Sequence, residues 1–179
     1  MPDNDTNQKK IYDKFNNDVQ LMIIFAKAAS INTNIDCIYP ESLIVGLLTI
    51  GVNNVSSSLI RNNVDLEKCL KFFKTKLMSK KNGKNADSIG YESLKISRGV
   101  IDTCKMADQI SVESKIEWIG IEHIFVALIR LFPEIKKFFT DASLNVDEFC
   151  EEIKKQKPKI TPPPAPPTPK KTKKQTKPK

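Results

Sequence analysis

The chain has 179 residues, 40% of them hydrophobic, with a formal net charge of +8. That is room for one folded domain plus appendages. No run of residues approaches the ~18 consecutive apolar positions of a membrane span, so a membrane partner is not expected. The start, Met1 to Gln8, is polar and acidic, unlike a secretory or transit sequence, and a cytosol-like, reducing compartment is expected. The charge is unevenly placed: ten of the 29 basic residues are lysines from Lys154 onward, where there is no acid. The body is left with 19 basic residues against 21 acidic ones.

In chain order, residues 1–9 carry no pattern and are expected to be disordered. From about Lys10 to Ala29, apolar residues fall at Ile11, Phe15, Val19, Met22, Ile23, Ala26 and Ala29, the spacing of one helical face. Asn34 tolerates the left-handed conformation that ends helices. A short extended segment, Ile35 to Tyr39, leads to Pro40, which suits a first helical turn, with Glu41 at the positive end of the helix dipole. That helix is expected to reach about Ile50. A short helix over about 56–61 follows, and Asp65 is placed to cap a fourth through Met78. Residues 79–92, rich in Lys, Asn, Gly and Ser, read as a linker. Further helices are expected at about 93–111, 121–132, 134–141 and 147–156, and no segment has the period-two pattern of a strand. Residues 157–179 combine the proline run Pro162–Pro169 with Lys170, Lys171, Lys173 and Lys174, a composition that favours extended, disordered chain.

The second half repeats the first. Ile38-Tyr39-Pro40-Glu41-Ser42-Leu43-Ile44-Val45-Gly46-Leu47-Leu48 matches Ile119-Gly120-Ile121-Glu122-His123-Ile124-Phe125-Val126-Ala127-Leu128-Ile129 at an offset of 81 residues. Val19 then meets Val100, Ala26 meets Ala107 and Ser30 meets Ser111, and Asn63-Val64-Asp65 returns as Asn145-Val146-Asp147, one residue out of step. Self-similarity at a fixed offset means one supersecondary unit used twice. The expected architecture is all-α, a pseudo-twofold tandem of two four-helix units with about eight helices. Repeat one covers 10–78, repeat two 93–156.

Few residues suggest chemistry. Cys37, Cys69, Cys104 and Cys150 are scattered without a C-x-x-C pair, and read as small buried apolar groups. His123 is the only histidine. Without a nucleophile or clustered ligands nearby, a packing or capping role is the simpler reading, and neither a catalytic constellation nor a metal or cofactor site is expected. Trp118 is of a type that anchors partners at interfaces, but its repeat mate Cys37 argues for a place in the core. The lysine tail either binds polyanion by phosphate neutralisation, with Lys170, Lys171, Lys173 and Lys174 as the candidate contacts, docks on an acidic protein surface, or solubilises the chain.

The pattern of a long helix, an apolar-x-x-Glu-x-apolar-apolar connector, a second helix ending Leu-Leu or Leu-Ile, and a closing Val-Asp helix resembles the Clp repeat domain. Trp118-Ile119-Gly120-Ile121-Glu122-His123-Ile124 carries the resemblance furthest, and it extends over about Phe15 to Lys155. In that family the domain stands before AAA+ unfoldases or occurs alone in accessory proteins. The sequence here contains no G-x-x-x-x-G-K-[ST] phosphate cradle, so the motor is missing from it. The resemblance implies a non-enzymatic recognition module whose partners are a Clp unfoldase, its protease core, or an adaptor or substrate protein. It also implies that Glu41, Glu122 and His123 match family site positions, the glutamates accepting the guanidinium of phosphoarginine-marked substrates in some relatives. Early-helix acids held by local N–H groups are the alternative. A nucleic-acid-associated or structural role, tethered through the tail, is the competing function.

Overall fold

The computed structural model describes residues 11–80, 90–91 and 93–155; the expected disordered N-terminus, the tail with its four candidate lysines, and most of the linker lie outside the described residues. Among the described residues, eight helices of eight or more residues form two sets of four: α1 (Asn17–Asn32), α2 (Pro40–Thr49), α3 (Asn54–Arg61) and α4 (Leu66–Met78), then α5 (Arg98–Glu113), α6 (Ile121–Leu131), α7 (Pro133–Asp141) and α8 (Val146–Lys155). Among the described residues no single helix is long and apolar enough to cross a membrane.

Local chemistry explains the boundaries. Asn16 and Ser97 hold equivalent N-cap positions, their side chains accepting from the N–H of Val19 at 2.9 Å and of Val100 at 3.4 Å. Asn34 and Lys115, at φ 58° and 56°, turn the chain after α1 and α5. Asn63 and Ser143, at 59° and 65°, do the same before α4 and α8. That second pair corrects the expected register. Asp65 caps Lys68 and Asn145 caps Glu148, so Asn63-Val64-Asp65 corresponds to Ser143-Leu144-Asn145, and the match to Asn145-Val146-Asp147 is two residues out. Buried Val64 and Leu144 occupy the same place in the two units.

α2 and α6 are mostly apolar, and from Pro40 to Leu47 and from Ile121 to Ile129 every residue is buried. A helix with no polar face belongs in the middle of a domain. The other six helices cover them, with single apolar faces such as Cys69, Phe73 and Leu77 of α4. α1 approaches α2 closely at Gly46, where a Cβ would overlap the Met22 carbonyl oxygen; the equivalent residue in α6 is Ala127.

The two units are tied by backbone. Cys37–Ile38 (β1) pairs in parallel with Lys95–Ile96 (β2), and Phe15 bridges Ile119 in the same sense. These are the same interaction twice, because Ile38 corresponds to Ile119 and Phe15 to Ile96. Each unit's connector binds the segment ahead of the other unit's first helix. Ser97 N–H donates to Ile38 O at 3.0 Å, and Asn16 N–H to Ile119 O at 3.1 Å. The expected helices from about Lys10 and Ser93 are corrected by these pairings: Ile11 and Tyr12 are helical, but the chain breaks over 13–16 before α1 starts at Asn17, and α5 starts at Arg98, since the backbone just ahead of each is committed across the repeat.

Aromatic side chains fill the joint on one side. Phe72 of α4 stacks on Phe138 of α7 at 4.2 Å and 24°, and Phe73 meets Phe138 and Phe139. The pseudo-equivalent joint of α8 and α3 is polar. There Glu152 replaces Phe72 and Ser58 replaces Phe138, and Arg61 bonds both, at 3.3 Å and 2.7 Å.

Candidate functional site

Glu41 and Glu122 are the second residues of the two central helices. Reciprocal caps fix those helix starts. Ser42 Oγ accepts from the Tyr39 N–H at 3.2 Å, and His123 Nδ1 accepts from the Gly120 N–H at 2.9 Å. His123 is 1% exposed, and burial pulls its pKa from 6.5 to about 4. It is therefore a neutral capping group at pH 7, the counterpart of Ser42, and among the described residues no nucleophile is bonded to it.

Both glutamates are buried, at 7% and 4% exposure, yet each keeps one oxygen, Oε2, without a hydrogen-bond partner among the described residues. A buried acceptor left open is costly, which sets these carboxylates apart from ordinary first-turn acids. The other oxygen of each is held from across the molecule. Asn54, at the start of α3, donates its amide to Glu122 Oε1 at 2.8 Å. Lys80, just beyond α4, pairs with Glu41 Oε1 at 2.7 Å. Burial raises the proton affinity of Glu122, opposed by its backbone N–H and by Asn54, and raised further by Asp18.

Beside Glu41 runs a groove of about 490 Å³ with Phe72, Phe73 and Phe138 in its walls and Glu134 and Lys76 among its polar residues. A second, more apolar cleft of about 300 Å³ lies between α1 and α5, over Phe15, Met22, Ile38, Val100 and Ile124. The arrangement offers apolar surface beside the buried Glu41 carboxylate, which suits a protein segment with a cationic side chain. Among the described residues there is no group of three or more His, Cys, Asp or Glu able to hold a metal ion.

The sequence reading missed Lys80, left in the linker, and Asn54, because both contacts span the fold. Trp118 is half-buried, as is Cys37, rather than in the core. Cys69, Cys104 and Cys150 are buried, and burial pushes their thiols up to about 11, 12 and 11.

The helices, their order and their pairwise duplication define an all-α tandem-repeat domain. Comparison with solved structures narrows this to the fold of the Clp N-terminal domain. The N-terminal domain of the caseinolytic-protease-associated chaperone ClpD from Arabidopsis thaliana aligns with TM-score 0.59 and 16% identity, over 79% of this chain and 92% of that one. The Hsp104 N-terminal domain from Candida albicans aligns with TM-score 0.63 and 14% identity, over 78% and 89%. A chain from structural investigations of a malarial protein secretion system gives TM-score 0.65 and 17% identity, over 79% and 92%. No protein-family model matches the sequence, and no curated protein matches it.

Proposed function

We propose that this chain is a non-catalytic protein-binding module that serves a Clp-type ATP-dependent protease or unfoldase as an accessory, adaptor or regulator. The observation that carries the reading is the pair of buried glutamates, each with a buried oxygen left without a hydrogen-bond partner among the described residues, at matching places in a Clp N-terminal-like fold. A cationic side chain from a client or adaptor would meet Oε2 of Glu122 or Glu41, and its neighbouring apolar residues would lie on the adjoining surface. No chemical step is required of the chain, and His123, occupied as a helix cap, is not an acid–base candidate.

Affinity capture from the native source tests this, read against the host's Clp unfoldase, protease core and adaptors. Enrichment of at least one is expected; enrichment of none counts against the proposal. The concentration of eight lysines and no acid from Lys157 onward favours a second reading, in which the tail tethers the body to nucleic acid. Truncation at Lys157 separates them. Protease association that survives while polyanion binding vanishes makes the tail an accessory; loss of all binding with the tail supports the second reading.

A further inference from the structure

The two carboxylate sites are unequal, and the inequality traces to one position. Asn54 holds Glu122; its counterpart eighty residues on is Glu134, which lines the groove beside Glu41. A carboxylate cannot donate to a carboxylate, so the donor at Glu41 has to come from elsewhere. Lys80 supplies it. Its Nζ lies 2.7 Å from Glu41 Oε1 and 4.6 Å from the centroid of the Tyr39 ring. A carboxylate on one side and a ring face on the other make a seat for an ammonium group. The backbone presents Lys80 there directly after α4, its N–H bonded to Leu77 O at 2.8 Å. At Glu122 no ion pair forms among the described residues, and Gly120 stands where the first unit has Tyr39.

We propose that Lys80 is an internal occupant of the Glu41 site, so that an incoming guanidinium or ammonium side chain fills Glu122 first and reaches Glu41 only by displacing Lys80. The inference rests on the reading that these glutamates receive cationic ligands, and it names the residue that sets their order of filling. With its side chain one-third exposed, Lys80 is exchangeable, a competitor in place rather than a fixed part of the core. Neutralising it, as lysine acylation would, opens the second site.

The test uses the full chain and N-acetyl-arginine amide as a guanidinium probe, followed by the backbone amide shifts of Leu43 and Ile124 as reporters of the two sites. In the wild type, Ile124 is expected to saturate at lower probe concentration than Leu43. Lys80→Ala is expected to lower the half-saturation at Leu43 by about three- to fivefold and leave Ile124 unchanged. The Glu41→Gln substitution, and added probe in the wild type, should each speed acylation of Lys80 by a limiting reagent, with exposed Lys74 as the internal reference. If Ile124 responds to the probe but Lys80→Ala leaves Leu43 unchanged, the gating role is overturned alone. If neither reporter responds in either protein, the use of the glutamates as cation receptors is overturned with it.

Discussion

Acidification should weaken this fold through His123. The imidazole is buried, accepts the Gly120 N–H through Nδ1, and has its pKa pulled from 6.5 to about 4 by desolvation. The unfolded chain therefore takes up a proton more readily than the folded one. The stabilisation is complete above about pH 6.5, falls as the pH drops toward 4, and is exhausted once the folded protein is protonated as well. A tenfold change in proton affinity is worth about 1.4 kcal/mol, so the full drop corresponds to about 3 kcal/mol, a large share of the ~5–15 kcal/mol that holds a domain together. Protonation would also remove the acceptor for the Gly120 N–H and open the start of α6. The assay is urea unfolding followed by circular dichroism at several pH values, for the wild type and His123→Asn. Asn keeps an oxygen for the cap but does not titrate, and the carboxylates, Glu122 included, contribute alike to both proteins. The wild type is expected to lose about 3 kcal/mol more than the variant between about pH 7 and pH 4. Parallel curves, or an imidazole seen by NMR to titrate near 6.5, would refute the reasoning.

Three other outcomes follow from contacts in the fold. Gly46→Ala would drive a methyl group into the Met22 carbonyl oxygen and the Ala26 backbone, costing about 1–3 kcal/mol in chemical unfolding, while the reverse change at the equivalent Ala127 should cost about 1 kcal/mol. Glu122→Gln removes a buried charge whose carboxyl already resists ionisation, so the melting temperature is expected to hold or rise while affinity for the guanidinium probe falls about tenfold; a fall of several degrees would contradict it. Cys69, Cys104 and Cys150, with thiols pushed up to about 11 or 12, should resist iodoacetamide at neutral pH until the protein is unfolded, and Cys37 should be labelled first.

The all-α fold and its duplication were legible because they rest on short-range chemistry: apolar spacing along α1, the Pro40-Glu41 helix start, and the repeated apolar run around Glu41 and Glu122. What escaped the sequence depends on contacts between distant residues. Phe15 fits the helical stripe of α1, yet its backbone pairs with Ile119 and the helix begins after it. β1 and β2 are two residues each, too short to show alternation. The Asn-Val-Asp match pointed to a register that the caps at Asp65 and Asn145 shift by two, since capping depends on where α4 and α8 start and not on residue identity. Within the site, Glu41 and Glu122 were marked by the repeat itself. Lys80 carried no local signal, because its ion pair forms only when the end of α4 meets the start of α2.

The central claim, that the chain grips components or clients of a Clp-type protease and performs no chemistry on them, is tested most directly by adding it to the host's reconstituted unfoldase and protease core. The account expects the rate of client degradation to change, in either direction, with the wild-type chain, and the change to be lost with the combined Glu41→Gln and Glu122→Gln variant. A rate that stays the same, together with no co-elution with unfoldase, protease or client, would contradict it.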